Sequence, residues 1–148
     1  MIVKTILAAK GGEVVSIEPT ADLIAAAKLL TKHRIGVLVV NDAGGRLIGI
    51  LSERDITRVL AENASAVLHL SVAEVMTRNV STCDVSDPIG SVLKRMTKGK
   101  FRHMPVLEND RLVGLVSIGD IGKCHMGILL DHARDLDECI DQISLMKL

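Results

Sequence analysis

The chain has 148 residues, with 18 Lys and Arg set against 18 Asp and Glu, five His and no formal net charge. That length suits one domain or two small packed lobes, and 48% hydrophobic residues supply a core, so a disordered chain and a disulfide-dependent miniature fold are both excluded. The neutral balance argues against nucleic-acid binding, and one Phe with no Trp or Tyr removes stacking platforms for bases and cages for cations, leaving aliphatic side chains and backbone to hold any flat ligand.

The first ten residues, Met1 to Lys10, are apolar but too short and interrupted for a signal-peptide core. No run approaches the ~20 apolar residues that span a bilayer. The expectation is a cytoplasmic protein with no membrane partner. Cys83, Cys124 and Cys139 are odd in number and unpaired in spacing, and read as reduced thiols. Cys124, His125, His132 and Cys139 lack the paired ligand spacing that zinc needs, so no metal is expected.

Val14 to Ile17 reads as a short strand closed by Pro19. Thr20 or Asp22 can cap a helix whose apolar face is Leu23, Ala26, Ala27 and Leu30. Val37–Val40, a turn rich in Asn, Asp and Gly, and Leu47–Leu51 predict a β-hairpin, and a helix follows from about Asp55 to Glu62. The same order then returns. Gly49-Ile50-Leu51-Ser52-Glu53-Arg54-Asp55-Ile56 reappears 65 residues later as Gly114-Leu115-Val116-Ser117-Ile118-Gly119-Asp120-Ile121. Val15-Ser16-Ile17 matches Val80-Ser81-Thr82 at the same spacing, and Leu23, Ala27 and Leu30 match Ile89, Leu93 and Met96 at 66. Asp87-Pro88 offers the second helix a cap residue and a proline at its first position. A second hairpin runs over Met104–Leu107 and Leu112–Val116, with a helix from about Asp120.

These elements predict an α/β (α+β) chain of two tandem strand-helix-strand-strand-helix repeats, over 3–64 and 71–125, packed with pseudo-twofold symmetry. Residues 126–148 form a C-terminal helix. Its Leu129, Ala133, Leu136, Ile140 and Ile143 make an apolar seam among Asp131, Asp135, Asp137, Glu138 and Asp141, expected to pack on the lobes or across a dimer.

The duplicated Ser-x-x-Asp carries the chemistry. At a helix start it predicts a capping box, with Ser52 or Ser117 bonded to an amide and Asp55 or Asp120 reaching back. The same helix end presents free N–H groups and a positive dipole to a phosphate. A carboxylate accepting two hydrogen bonds suits the vicinal hydroxyls of ribose. Between Asp87 and Glu108 there is no acid, while Arg102 and His103 stand at a strand entry. The first repeat has Gly36 and Val37 there and carries Arg54 inside its Ser-x-x-Asp loop. Basic groups thus reach each repeat by different routes, which predicts two non-equivalent pockets.

Strand, helix, a strand with Val-Val or Pro-Val, a short turn, then Gly-apolar-apolar-Ser-x-x-Asp resembles the CBS (cystathionine β-synthase) domain, and two in tandem resemble a Bateman module. Ser52-Glu53-Arg54-Asp55, Arg102-His103-Met104-Pro105-Val106 and Ser117-Ile118-Gly119-Asp120 are similar to the small stand-alone bacterial CBS-pair proteins, and the match runs from about Val3 to Ile121. The resemblance implies an adenosine-bearing ligand (AMP, ADP, ATP, NAD(H) or S-adenosylmethionine) between the repeats, no catalytic cofactor, a homodimer and a regulated protein partner. It gives ribose and phosphate roles to Ser52, Arg54, Asp55, Arg102, His103, Ser117 and Asp120. Val15, Ile17, Val37 and Leu38 then wall an adenine pocket in the first repeat, with Val80, Thr82, Met104 and Pro105 in the second.

Three functions compete. A ligand-sensing regulatory module is the leading reading. A structural dimerisation module with vestigial pockets conflicts with the Ser and Asp present in both repeats. An enzyme is disfavoured, because the chain has no P-loop Lys, no G-x-S-x-G nucleophile and no metal cluster.

Overall fold

The apolar alternation of each repeat folds into a three-stranded sheet in a computed structural model that describes residues 1–146. In chain order the elements are helix α1 (Val3–Lys10), strand β1 (Ser16–Ile17), helix α2 (Leu23–His33), strands β2 (Val37–Asn41) and β3 (Leu47–Ser52), and helix α3 (Glu53–Asn63). A 3-10 segment (Ala64–His69) and the short helix α4 (Val72–Val75) lead into the second repeat. That repeat holds β4 (Cys83–Asp84), α5 (Ile89–Gly99), β5 (His103–Glu108), β6 (Arg111–Ser117) and α6 (Ile118–Met146). In each sheet the short first strand lies parallel to the middle one, and the hairpin adds the third antiparallel, in the orders β1-β2-β3 and β4-β5-β6.

The register corrects one sequence alignment. Ser16 and Ile17 face Val39 and Val40, whereas Cys83 and Asp84 face Val106 and Leu107. Val37 faces Ser52 as His103 faces Ser117, so Ile17 corresponds to Cys83 rather than Thr82. Both are buried against their helices, and burial rather than letter similarity sets the register. The second repeat therefore gains its extra residue before the strand. The helix starts differ too. Asp22 caps α2 through Ala25 N–H at 2.7 Å, but Pro88 itself occupies the N-cap position of α5. Asp87 instead accepts from Asp84 N–H at 3.1 Å and pairs with Arg95 at 2.6 Å.

Two apolar cores result, and each is completed by a segment that precedes a repeat. Val72, Val75 and Met76 of the linker pack with Ile17, Leu30, Leu38 and Leu51 in the first core. Val3 and Ile6 of α1 pack with Cys83, Met96, Met104 and Val116 in the second. The backbone bonds repeat the pattern. Val72 N–H donates to Ala21 and Val3 N–H to Asp87, while Ala73 N–H donates to Pro19 and Lys4 N–H to Val85. Residues 1–7 thus correspond to residues 70–76, each laid on the other repeat's helix entry. Cutting the chain after Ala64 does not separate the cores, because α1 belongs to the second.

The C-terminal helix is continuous with the helix that follows β6 and runs for 29 residues. Ile121 is buried and Cys124 half-buried against the second core. Beyond them Leu129, Leu136, Ile140 and Ile143 are all more than half exposed, so the expected seam does not pack on the lobes. Residues 147 and 148 of the expected helix lie outside the described residues. Among the described residues, no helix is long and apolar enough to cross a membrane.

Docking of α1 is testable because Ile6 is only 6% exposed. Ile6→Ala removes buried methyl groups from the second core and should cost about 2–4 kcal/mol in urea unfolding with an unchanged slope. A loss near zero would mean that α1 is not docked.

Candidate ligand-binding site

A cavity of about 350 Å³ opens where the two repeats meet. The first repeat contributes Gly36, Val37, Ile50, Ser52, Glu53, Arg54 and Asp55. The linker contributes Thr77, Asn79, Val80 and Ser81, and the second repeat Lys100, Phe101, Arg102 and His103. Arg102 and His103 therefore stand with Ser52, Arg54 and Asp55 in one cavity instead of serving a pocket of their own.

Ser52 and Asp55 form a complete capping box. Asp55 Oδ2 accepts from Ser52 N–H at 2.9 Å and from Ser52 Oγ–H at 3.0 Å, and Asp55 N–H donates to Ser52 Oγ at 3.2 Å. The other carboxylate oxygen, Oδ1, meets the Arg58 guanidinium at 3.4 Å, a loose contact with a side chain more than half exposed. The carboxylate is fixed in direction by its cap bonds and keeps acceptor capacity toward the cavity.

Ser117 and Asp120 repeat the main-chain bonds, with Ser117 N–H to Asp120 Oδ2 at 2.8 Å and Asp120 N–H to Ser117 Oγ at 3.1 Å. Here Asp120 Oδ2 also receives the Lys10 ammonium at 2.7 Å. Burial raises the Asp120 pKa, but the Lys10 hydrogen bond, the Ser117 amide and the Lys10 charge outweigh it and hold the group below its ordinary 3.8.

The expected adenine walls divide. Val37 and Val80 line the cavity, while Leu38 and Met104 are fully buried in the two cores. Ile17 belongs to the first core, Val15 packs against it, and Pro105 is buried in β5 opposite Leu115. Thr82 is half-buried, and its carbonyl holds the Arg95 guanidinium at 2.7 Å. The composition suggested that no aromatic surface would be on hand, yet Phe101, the chain's one aromatic, lines the cavity. Lys100 and Asn79 also line it and were not singled out by the sequence. Burial pushes the Cys83 thiol up to about 11, so it stays protonated, and among the described residues no group of three His, Cys, Asp or Glu could hold a metal.

The family model for the CBS domain matches residues 6–62 and 72–124. A curated 17.7 kDa protein of Acidianus ambivalens is 32% identical over 76% of this chain and 67% of its own length. L-aspartate semialdehyde sulfurtransferase of Methanocaldococcus jannaschii is 36% identical over 71% of this chain, which spans only 20% of that protein. Among solved structures, a CBS-domain protein of Agrobacterium tumefaciens is 42% identical at a TM-score of 0.82, over 84% of this chain and 99% of that one. The CBS domain pair of protein MJ0100, solved with 5-methylthioadenosine and S-adenosyl-L-methionine, is 33% identical at 0.76, over 86% of this chain and 97% of that one.

His103 faces charges from several elements. Burial holds its imidazole below the ordinary 6.5; Lys10 adds to this, Asp120 opposes it, Arg102 adds again and Glu53 opposes. A lowered folded pKa means that the unfolded chain binds the proton more tightly. Stability from this group is full above about pH 6.5 and is lost as pH falls through the folded value. Urea unfolding from pH 7 to pH 5 should therefore show a fall that His103→Gln makes shallower. An unchanged pH slope in the variant would count against it.

Proposed function

The chain belongs to the CBS-domain family, and we propose that it is a regulatory module binding an adenosine-containing nucleotide (AMP, ADP, ATP or NAD(H)) in the cavity between its repeats. The observation that carries this reading is the meeting of Ser52 and Asp55 from one repeat with Arg102 and His103 from the other in a single cavity. Asp55 accepts from the ribose 2′- and 3′-hydroxyls, and Ser52 Oγ and the N-terminus of α3 lie beside it. Arg54, Lys100, Arg102 and His103 supply donors for phosphate. Val37, Ile50 and Val80 offer apolar surface to the adenine, and Phe101 offers a ring edge or face.

The charge of the wall favours a phosphate-bearing ligand. Three permanent cations and His103 outnumber Glu53 and Asp55. The complex of the MJ0100 pair with 5-methylthioadenosine and S-adenosyl-L-methionine supports a second reading, a sulfonium nucleoside in the same place. Either ligand acts through unequal affinity for two arrangements of the pair. A regulated protein and a second copy of the chain belong to the same proposal, supported by the exposed apolar stripe of α6. The reading is of a regulator rather than a catalyst.

Calorimetric titration with AMP, ATP, NADH and S-adenosylmethionine tests it. Asp55→Asn should weaken every adenosyl ligand by roughly tenfold to a hundredfold, the effect of losing about 1.5–3 kcal/mol of charge-assisted hydrogen bonding. Arg102→Ala should weaken AMP and ATP but leave adenosine unchanged. Ligand at 100 times its Kd should add about 2.7 kcal/mol to stability, seen as a rise in Tm. No heat from any of the four compounds would sink the proposal.

A further inference from the structure

The two Ser-x-x-Asp sites share a motif and a cap geometry, but the segment passing over them differs. The spacing of 69 residues that relates Met1 to Leu70 and Val3 to Val72 sets Lys10 at the position of Asn79. Asn79 lines the open cavity. Lys10 instead lies over β6, where its ammonium donates to Asp120 Oδ2 at 2.7 Å and to Leu115 O at 2.9 Å. Its placement is fixed by the backbone. Lys10 ends α1, Gly11 turns the chain with φ +90°, and Gly12 crosses β6 so closely that a Cβ there would meet Val113 O at 2.7 Å. Only glycine allows that crossing without a shift of main chain.

We propose that Lys10 closes the second Ser-x-x-Asp site to ribose, so that the chain takes one nucleoside ligand at Asp55 and none at Asp120. This rests on the adenosine reading of the cavity. A ribose diol brings two neutral O–H donors and needs a carboxylate with acceptors to spare. Asp120 already holds a full positive charge on a carboxylate whose side chain is only 19% exposed. A hydroxyl is the weaker partner, because charge-assisted hydrogen bonds are roughly twice as strong as neutral ones. A diol that displaced the ammonium would also leave it close to the His103 imidazole, with its counter-charge engaged elsewhere. At Asp55 the matching cap oxygen, Oδ2, accepts only from Ser52, and the other oxygen, Oδ1, meets only the exposed Arg58 at 3.4 Å, which solvent can replace at little cost. Lys10 is thus the residue that makes two duplicated sites unequal.

The full-length chain decides this by titration with AMP. The wild type should bind one AMP per chain. Lys10→Asn, which copies Asn79, and Lys10→Met, which keeps the length but removes the charge, should each bind two. Asp55→Asn in the Lys10→Asn background should retain the second site. A wild type that binds two, or a pair of Lys10 variants that stay at one, overturns the proposal; so does a gain in the Asn variant alone, which would deny the role of charge. Should the wild type give no heat while Lys10→Asn gains a site, the reading of Asp55 falls and the role of Lys10 stands. Heat from none of these proteins overturns both. Carboxyl ¹³C titration of Asp120 gives an answer without nucleotide: its midpoint should rise in Lys10→Asn, and an unchanged midpoint means that the ammonium does not hold this carboxylate.

Discussion

The exchange of N-terminal segments between the repeats is the constraint on which the rest depends. A three-stranded sheet with one covering pair of helices leaves an open flank, and neither repeat fills it from its own residues. Val3 and Ile6 close the second core, and Val72 and Val75 close the first. The main-chain bonds from Val3 to Asp87 and from Val72 to Ala21 fix both segments at helix entries. Separating the lobes would expose both cores at once, so the interface between them is as firm as the cores themselves. The same segments then run on along the hairpins. Thr77 bonds to Ile50 in both directions and leads Asn79 and Val80 into the cavity wall, while Lys10 and Gly12 follow β6 on the other side. One feature both completes the fold and delivers the residues by which the two sites differ.

Much of this was legible in the sequence, and the gaps have physical causes. Helices α2 and α5 and both hairpins carry apolar periodicity over many residues, and the structure places them within a residue or two of the pattern. β1 and β4 are two residues each, too short for any periodicity to register. Similar letters at Val80-Ser81-Thr82 therefore outweighed the correct alignment of Ile17 with Cys83. The exchanged segments share apolar residues at matching steps, Val3-Ile6-Leu7 against Val72-Val75-Met76, yet α1 is eight residues long and α4 only four. A chain start also invites a reading as a targeting segment, which hides its part in the repeat. The grouping of Arg102 and His103 with Asp55 was out of reach for another reason. It is set by how the lobes meet, and no spacing along the chain encodes it.

Composition gave two statements that the structure narrows. Zero net charge is a sum of separated patches, with cations around the cavity and Asp131, Asp135, Asp137, Glu138 and Asp141 along α6. The near absence of aromatics holds for the chain but not for the cavity, where Phe101 stands in the wall. One ring in the right place counts for more than a percentage.

Duplication of Ser-x-x-Asp weighs differently on structure and on function. Both copies make the reciprocal cap, with bonds of 2.8–3.2 Å at the two helix starts. That cap satisfies orphan amides in either case, so it accounts for the motif at both positions without any ligand. Binding depends on what the cap leaves over, which is the acceptor capacity of the carboxylate and the groups facing it. At Asp55 the carboxylate faces the cavity with four basic side chains around it; at Asp120 the cap oxygen itself carries an ammonium from a helix that precedes the first repeat. A repeated motif is thus a statement about the fold, and each copy's chemistry is decided by the segment that the other repeat lays across it.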